Sequence, residues 1–444
     1  MCAMTDLYQP EIEALPRSRL RELQWERLRW QLDRCYRESP FYREKWERAE
    51  VKLEQIQRPE DLRLLPVVTK DELRTEQAAH PPFGRFTVAP RADWRELHPS
   101  SGTTGNPVNT IWSERDADYL ADVTARTMYS FGTRPGDIIQ NAFSYGLWVA
   151  GMSCHYGARR LGCFVIPIGA QLTNRQVEYL QDPGSQVLLA TPSYALHIAE
   201  KLAEAGVSPD RVPLRLGCFG GEGGTEAPAT RAKLERGLGI DAFDYYGLAE
   251  IGPTFASECA EKEGLHWSED LHYLEVIDPQ TMEPVPEGEV GVLVITHLVR
   301  EATPMVRYWT NDYARVLNEP CRCGRTHARS PGGILGRHDD LVIYKGAKFY
   351  PVQVEKVVRA MPELGDEYKI LIAQGEGGVV SNCTVVAEYH HGVGLDGNPA
   401  GLEWLAEGLS RRLKEELLVT PEVRLEPFGT LERSTFKAKR LERR

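Results

Sequence analysis

Residues Ser100 to Pro107 read SSGTTGNP, four hydroxyl side chains interrupted by two glycines and closed by a proline. Glycine frees the backbone to turn successive N–H groups onto an anion, and serine and threonine hydroxyls add donors, so the composition suits a polyphosphate cradle. The same residue types build surface turns, and the G-x-x-x-x-G-K-[ST] spacing of the common nucleotide loop is absent. A second chemical set lies in ECAEKEGLHW and EPCRCGRTH, where Cys259, His266, Cys321 and Cys323 offer three thiolates and an imidazole in two short, loop-like segments. Those donors match a closed tetrahedral zinc site, although C-x-C and C-x6-H are looser spacings than the usual C-x2-C knuckle. His327 and His272 are alternative fourth ligands, and four unrelated residues near loops is the competing reading. A third set, FSYGLWVAG, carries Phe143, Tyr145 and Trp148, which can wall a flat apolar ligand or pack a core between strand and helix.

Composition narrows the classes. A chain of 444 residues exceeds what one core usually holds, so at least two domains are expected. The net charge of −11 argues against nucleic acid or an anionic membrane as the main partner and leaves room for a local basic pocket. No apolar run reaches the ~18 residues of a spanning helix, and the charged N-terminal stretch lacks the apolar centre of a signal peptide, so the cytoplasm is the expected location. Nine cysteines, an odd number scattered along the chain, do not form a secreted disulfide framework; Cys154, Cys163 and Cys218, inside apolar runs, read as small buried hydrophobes.

The elements that must position these residues follow an α/β alternation. From Arg17 to Glu38, Leu20, Leu23, Trp25, Leu28, Leu32 and Cys35 recur at helical spacing between Pro16 and Ser39-Pro40, which predicts an amphipathic helix. Short apolar runs begin at residues 137, 163, 186, 214 and 242, with a helical pattern from Ser193 between two of them, so the middle of the chain reads as strands joined by crossover helices. EVGVLVITH and YARVL read as antiparallel strands. After GRHDD come YKILIAQ, CTVVAEY, a long helix across 401–418 and VRLEPFG, a separate mixed α and β unit. The expected architecture is α/β, with a large N-terminal multi-sheet domain over 1–335 and a small mobile C-terminal α+β lid over 336–444.

Five stretches, SSGTTGNP, FGGE ending at Glu222, YYGLAE ending at Glu250, RYWTNDY around Asp312 and GRHDDLVIYKG from Gly336, resemble in order and distance the adenylate-forming enzymes, the superfamily of acyl-CoA synthetases. The connecting text, including SPFYREKWERA, TPSYALHIAE, WSEDLHYLEVID and PCRCGRTH, is similar to the phenylacetate-CoA ligase branch, and the resemblance spans essentially the whole chain.

The resemblance implies roles. Ser100, Ser101, Gly102, Thr103, Thr104 and Gly105 would close over the ATP phosphates. Gly221, Glu222, Tyr245, Tyr246 and Gly247 would complete the nucleotide pocket, with Tyr246 near the adenine. Asp312 would accept hydrogen bonds from the ribose hydroxyls, and Arg337 would contact the same sugar or a phosphate. Glu250 would ligate the magnesium ion that neutralises the phosphates. Lys437 is the expected catalytic lysine, with Lys439 as competitor, and Asp339 the hinge about which the lid turns to bring Gly346 to a tunnel for the coenzyme A thiol. The acid, aromatic or arylacetic, would meet Lys70, Phe143, Tyr145, Gly146, Trp148 and Gly220. Solvated surface carboxylates remain the plain alternative for Glu250 and Asp312.

Two departures stand out: Asn106 occupies a position where this branch usually has lysine, and Phe436 stands where the family has glycine before the catalytic lysine. The expected activity is therefore an AMP-forming acid–CoA ligase using ATP, Mg2+ and coenzyme A, with a structural Zn2+. Transfer to a carrier protein or cofactor hydroxyl is one alternative, and a non-catalytic nucleotide or acyl sensor is another. Expected partners are small molecules, without nucleic acid or membrane, and a homodimer is one assembly to be tested.

Overall fold

Every residue of Val187–Ala190 and Leu216–Phe219 is buried, a pattern that only a sheet covered on both faces accommodates. The computed structural model, which describes residues 6–100, 106–170, 172–374, 380–390, 398–434 and 438–443, places these strands at the centre of an eight-stranded sheet. From one edge the order is Phe164–Ile166, Ile138–Asn141, Val187–Ala190, Leu216–Phe219 and Asp241–Leu248, all parallel. Gly252–Ser257, Leu265–Trp267 and Arg329–Ser330 extend it antiparallel. Successive side chains alternate between faces. Leu188, Ala190 and Ala242 thus join Leu180, Ile198 and Leu234 of helices Thr173–Gln181, Pro192–Glu204 and Pro228–Leu238. Val187, Leu189 and Phe243 meet Met128, Cys154 and Leu161 of helices Glu114–Ser130 and Val149–Leu161 on the other side.

A second, four-stranded antiparallel sheet runs His272–Ile277, Gly291–His297, Tyr308–Ala314, Gly336–Arg337. Its apolar face shares a core with helix Arg17–Glu38 through Leu28, Leu32, Leu293 and Ile295. RYWTNDY is thus part of this sheet, and its strand begins five residues before the YARVL run read as strand from the sequence. Between the sheets, Trp94–Pro99 and Asn109–Ser113 form a two-stranded hairpin.

Residues after Arg337 build their own core. Leu364–Gln374 and Val380–Tyr389 pair antiparallel, flanked by Glu422–Pro427 and Leu441–Arg443 in parallel. Leu405, Leu409, Leu413 and Leu417 lie on one face of helix Pro399–Leu417 at i, i+4 spacing, and bury against Ile370, Ile372 and Val385 of that sheet. Among the described residues, no helix is long and apolar enough to cross a membrane.

The helices Glu114–Ser130 and Val149–Leu161 touch at Gly157, where an added Cβ would sit 2.3 Å from Thr124 Cγ2 and 3.0 Å from its backbone carbon. Gly157→Ala gains up to about 1 kcal/mol in helix propensity, whereas overpacking costs about 1–3 kcal/mol. Because backbone as well as side chain is struck, the variant should be less stable by about 1 kcal/mol or more, read as a lower urea midpoint with unchanged slope; an unchanged or raised midpoint would show that the two helices separate freely.

Candidate active site

The strands Trp94–Pro99 and Asn109–Ser113 pair on either side of the hydroxyl-rich stretch in the chain. Ser100 continues the pairing: its N–H donates to Val108 O (2.8 Å) and its Oγ accepts from Val108 N–H (2.9 Å). Ser101, Gly102, Thr103, Thr104 and Gly105 lie outside the described residues. Just beyond, Arg74 Nε donates to Asn106 O at 2.9 Å, so a guanidinium stands beside the position where the resemblance leads us to expect lysine. Thr110 Oγ1 donates to His98 O at 2.6 Å and holds the two strands in register.

FGGE follows directly on the buried strand Leu216–Phe219. Gly220 lies against the next strand, since a Cβ there would fall 2.5 Å from Tyr245 O. Gly221 adopts φ +86° beneath the indole of Trp148. This turn aims the Glu222 carboxylate at two main-chain donors, Ser193 N–H (2.9 Å) and Ala438 N–H (2.6 Å), the latter from the C-terminal unit. Burial pushes the Glu222 carboxyl upward, against hydrogen bonding at Ser193 and the charge of Arg440.

Tyr246 and Asp312 come together across the two sheets: Tyr246 Oη donates to Asp312 Oδ2 at 2.5 Å, and Arg337 donates to Asp312 Oδ1 at 3.0 Å. Asp312 and Arg337 are direct cross-strand partners, so the fourth and fifth motifs are joined by strand register rather than by a loop. Arg337 also grips Asp339 through both carboxylate oxygens at 2.9 Å. Gly247 permits the close approach of Pro253, whose carbonyl oxygen would lie 1.9 Å from a Cβ, and the chain then turns to bury Glu250. The Glu250 carboxylate is 3% exposed, with Oε1 2.9 Å from Lys70 Nζ. Lys70 and Glu250, assigned to different ligands on sequence grounds, are thus an ion pair.

Phe143 meets Trp148 and Tyr245 edge to face, at 5.3 and 5.9 Å between ring centres. Phe143 and Tyr245 are buried, whereas Trp148 is half-buried, with Gly146 exposed beside it. Tyr145 Oη lies 2.8 Å from Asn141 Nδ2 and 3.2 Å from His155 Nδ1. Gly346 occupies the exposed tip of the hairpin Val342–Tyr344/Ala347–Phe349. Lys439 is exposed, and Lys437 and Phe436 lie outside the described residues.

Apart from this cleft, the antiparallel edge of the main sheet brings Cys259, His266, Cys321 and Cys323 together, with one donor atom from each within 4.8 Å of all the others. Cys259 and Cys321 sulfurs are 3.9 Å apart, and Cys323 Sγ is 3.6 Å from His266 Nε2. A tetrahedron with zinc–sulfur bonds of about 2.3 Å has edges of about 3.8 Å, close to these two separations. His266 sits on strand Leu265–Trp267, not on a loop. His327 instead contacts Trp267 O and Ile12 O at 3.0 and 3.1 Å. His272 is buried beside Phe255 and His297, and burial lowers its pKa to about 4.

Comparison with known proteins gives a consistent picture. Residues 26–309 match the AMP-binding enzyme family, and residues 346–444 match the AMP-binding enzyme C-terminal domain. A phenylacetate-coenzyme A ligase of Thermus thermophilus is 40% identical over 441 residues, covering 96% of this chain and 97% of the relative. That of Aromatoleum evansii is 38% identical over 434 residues, covering 97% and 96%. Among solved structures, 2-hydroxyisobutyryl-CoA ligase in the postadenylation state with 2-HIB-AMP superposes with a TM-score of 0.93 at 31% identity, covering 100% of this chain and 93% of that one. The same-named ligase in the thioesterification state, with 2-HIB-AMP and CoA, superposes at 0.73 with 32% identity, covering 98% and 91%.

The Lys70–Glu250 pair has a definite pH signature. Burial raises the Glu250 carboxyl, but the charge of Lys70 beside it outweighs that and leaves the group below its ordinary 4.5. A carboxyl depressed in the folded state contributes stability above its unfolded pKa, lost as the pH falls through the folded one. Lys70→Ala leaves burial unopposed by that charge and inverts the sign. The variant should lose stability as the pH rises from about 4 to 7. With Lys70 25% exposed, the loss should fall below the roughly 3–5 kcal/mol of fully buried pairs, at about 2 kcal/mol. Urea unfolding at both pH values reads this, and Lys70→Ala/Glu250→Gln should recover most of it; a pH slope like that of the parent would uncouple the two residues.

Proposed function

The chain belongs to the adenylate-forming AMP-binding enzymes, in the phenylacetate-CoA ligase branch, and from that premise we propose how its own residues carry out the reaction and on which acid. It is an AMP-forming acid–CoA ligase: ATP activates a carboxylic acid as the acyl-adenylate, and the acyl group passes to coenzyme A. The observation that carries the residue assignment is the meeting of Tyr246, Asp312 and Arg337 at the end of the main sheet. An aromatic ring, a carboxylate and a guanidinium there suit adenine, ribose hydroxyls and the sugar–phosphate junction.

In the first step a carboxylate oxygen of the acid attacks the α-phosphorus of ATP and pyrophosphate leaves. The hydroxyl-rich loop 100–105 holds the departing phosphates. Lys437 stabilises the charge that builds on the phosphate and carboxylate oxygens. In the second step the coenzyme A thiol, losing its proton, attacks the acyl carbonyl, and AMP leaves with the electron pair of the broken mixed-anhydride bond. Residues 1–335 form the large domain and 336–444 the lid, which turns at Asp339 between the steps to present Gly346. The higher TM-score against the postadenylation state than against the thioesterification state supports reading the present arrangement as the adenylating one.

Magnesium would be held at Glu250, where it would neutralise phosphate charge; Oε1 of that carboxylate has a charge contact but no aligned hydrogen bond, an oxygen with capacity to spare. Zinc would be held by Cys259, His266, Cys321 and Cys323, a closed set with a structural part to play. For the acid, the half-buried Trp148 backed by Phe143 and Tyr245 and the 38–40% identity to phenylacetate-coenzyme A ligases favour an aromatic or arylacetic side chain.

Acid-dependent exchange of labelled pyrophosphate into ATP, across a panel of aromatic and aliphatic acids, tests the substrate: arylacetic acids should lead, and a preference for short aliphatic acids would sink this choice. Lys437→Ala should slow that exchange by about a hundredfold or more while CoA still converts a presynthesised acyl-adenylate. Equal loss of both half-reactions would move the role elsewhere. Elemental analysis of native protein should find one zinc per chain, absent from Cys323→Ser; metal-free native protein would overturn the zinc assignment.

A further inference from the structure

The C-terminal segment is fixed to its own unit and, two residues earlier, to the other. Arg440 O accepts from Ile370 N–H at 2.7 Å. Its guanidinium pairs with Glu367 and lies 4.7 Å over the Tyr368 ring, so residue 440 moves with the C-terminal sheet. Ala438 N–H, by contrast, donates to Glu222 Oε2 at 2.6 Å. The other oxygen of Glu222 accepts from Ser193 N–H at 2.9 Å, in the first turn of helix Pro192–Glu204. One carboxylate therefore bridges a fixed helix start and the main chain of the residue next to Lys437.

The surrounding contacts give this bridge its setting. Lys233 pairs with Asp366 at 2.6 Å, Arg359 donates to Thr230 at 2.9 Å, and Arg433 lies 3.6 Å from Glu200. Glu200, Thr230 and Lys233 belong to helices Pro192–Glu204 and Pro228–Leu238, and Glu222 lies in the connection between them. The C-terminal unit thus rests on one polar face, where each contact can be exchanged for water when the units part. Ion pairs on that face orient the unit as a whole. A bond to the 438 amide does something narrower: it fixes the depth of the main chain immediately beside the lysine.

We propose that Glu222 is a positioning residue for adenylation, clasping the Ala438 amide so that the adjoining lysine is held at the reacting phosphate while the lid is in its adenylating arrangement. This rests on the acid–CoA ligase reading above. It goes beyond the nucleotide-pocket role that sequence resemblance suggests for Glu222, because the carboxylate is engaged by protein donors. The clasp is absent once the lid turns, so the thioester-forming step does not need it.

Two measurements on Glu222→Ala test this. Loss of a charge-assisted hydrogen bond should lower kcat for pyrophosphate exchange roughly tenfold to a hundredfold, with KM for ATP within about threefold, a change too small for a lost ligand contact. Conversion of presynthesised acyl-adenylate by CoA should hold its rate. Glu222→Gln, which keeps one acceptor, should fall between. Independently of activity, hydrogen exchange in peptides covering 438–443 should speed up in Glu222→Ala while helix Pro192–Glu204 stays protected. Unchanged exchange at 438, a large rise in KM for ATP, or equal loss of both half-reactions would each overturn the clasp. If the parent enzyme activates none of the acids, the ligase reading fails by itself, and hydrogen exchange still decides whether Glu222 holds Ala438.

Discussion

The carboxylate of Asp312 is the point on which the geometry of the cleft depends. It receives Tyr246 from the main sheet and Arg337 from the last strand before the C-terminal unit, so one side chain ties together both sheets and the departure point of the linker. Asp312 is 3% exposed, and a carboxylate at that depth requires donors on both oxygens. That requirement fixes three elements at once. The tyrosine must sit at the strand end, the second sheet must present residue 312 toward it, and Gly336–Arg337 must pair in register with Asp312–Tyr313. Arg337 then reaches on to Asp339, which extends the same network into the turn where the chain leaves the large sheets.

The two units use different physics to hold together internally and to hold on to each other. Each has an apolar core of its own, dominated by leucine, valine and isoleucine. The contacts between them at helices Pro192–Glu204 and Pro228–Leu238 are ion pairs and hydrogen bonds. Polar contacts of this kind can be exchanged for water when the units part, whereas apolar burial of similar extent would lose its stabilisation outright. A polar interface of this kind would fit the lid movement proposed between the two half-reactions.

Much of this was legible in the sequence, for identifiable reasons. The apolar runs beginning at 137, 163, 186, 214 and 242 each contain a strand, because a doubly covered sheet writes itself as short continuous hydrophobic stretches. The leucine repeat of Pro399–Leu417 was equally plain. Strands Gly252–Ser257 and Leu265–Trp267 escaped because their burial comes from neighbours at a sheet edge, not from a periodic pattern of their own. The strand Tyr308–Ala314 was only half legible, since the apolar YARVL run marks its end and the polar residues of RYWTNDY hide its start. The Lys70–Glu250 pair joins residues 180 positions apart with no shared motif. The bond from Ala438 to Glu222 could not be read at all, since the donor is a backbone amide that any residue but proline supplies.

The cysteine–histidine cluster and the cleft are less separate than their distance along the chain suggests. Tyr246 pairs in register with Ala256, and Ala256 with Trp267, so the three side chains share one face of the sheet. The small residue in the middle leaves room for the two large ones to meet above it, and their rings are 5.7 Å apart at 79°. Trp267 thus supports the ring whose hydroxyl holds Asp312. Yet Trp267 belongs to a strand of three residues, beyond which lies a strand of two, and so short a ladder supplies few hydrogen bonds to keep it in place. His266, its neighbour in that strand, belongs to the four-donor cluster. A metal bound there would pin the short strand to the segments carrying Cys259 and Cys321–Cys323, and through Trp267 would fix the angle at which Tyr246 reaches Asp312. The four-donor cluster and the Tyr246–Asp312 side of the cleft are two ends of one packed row.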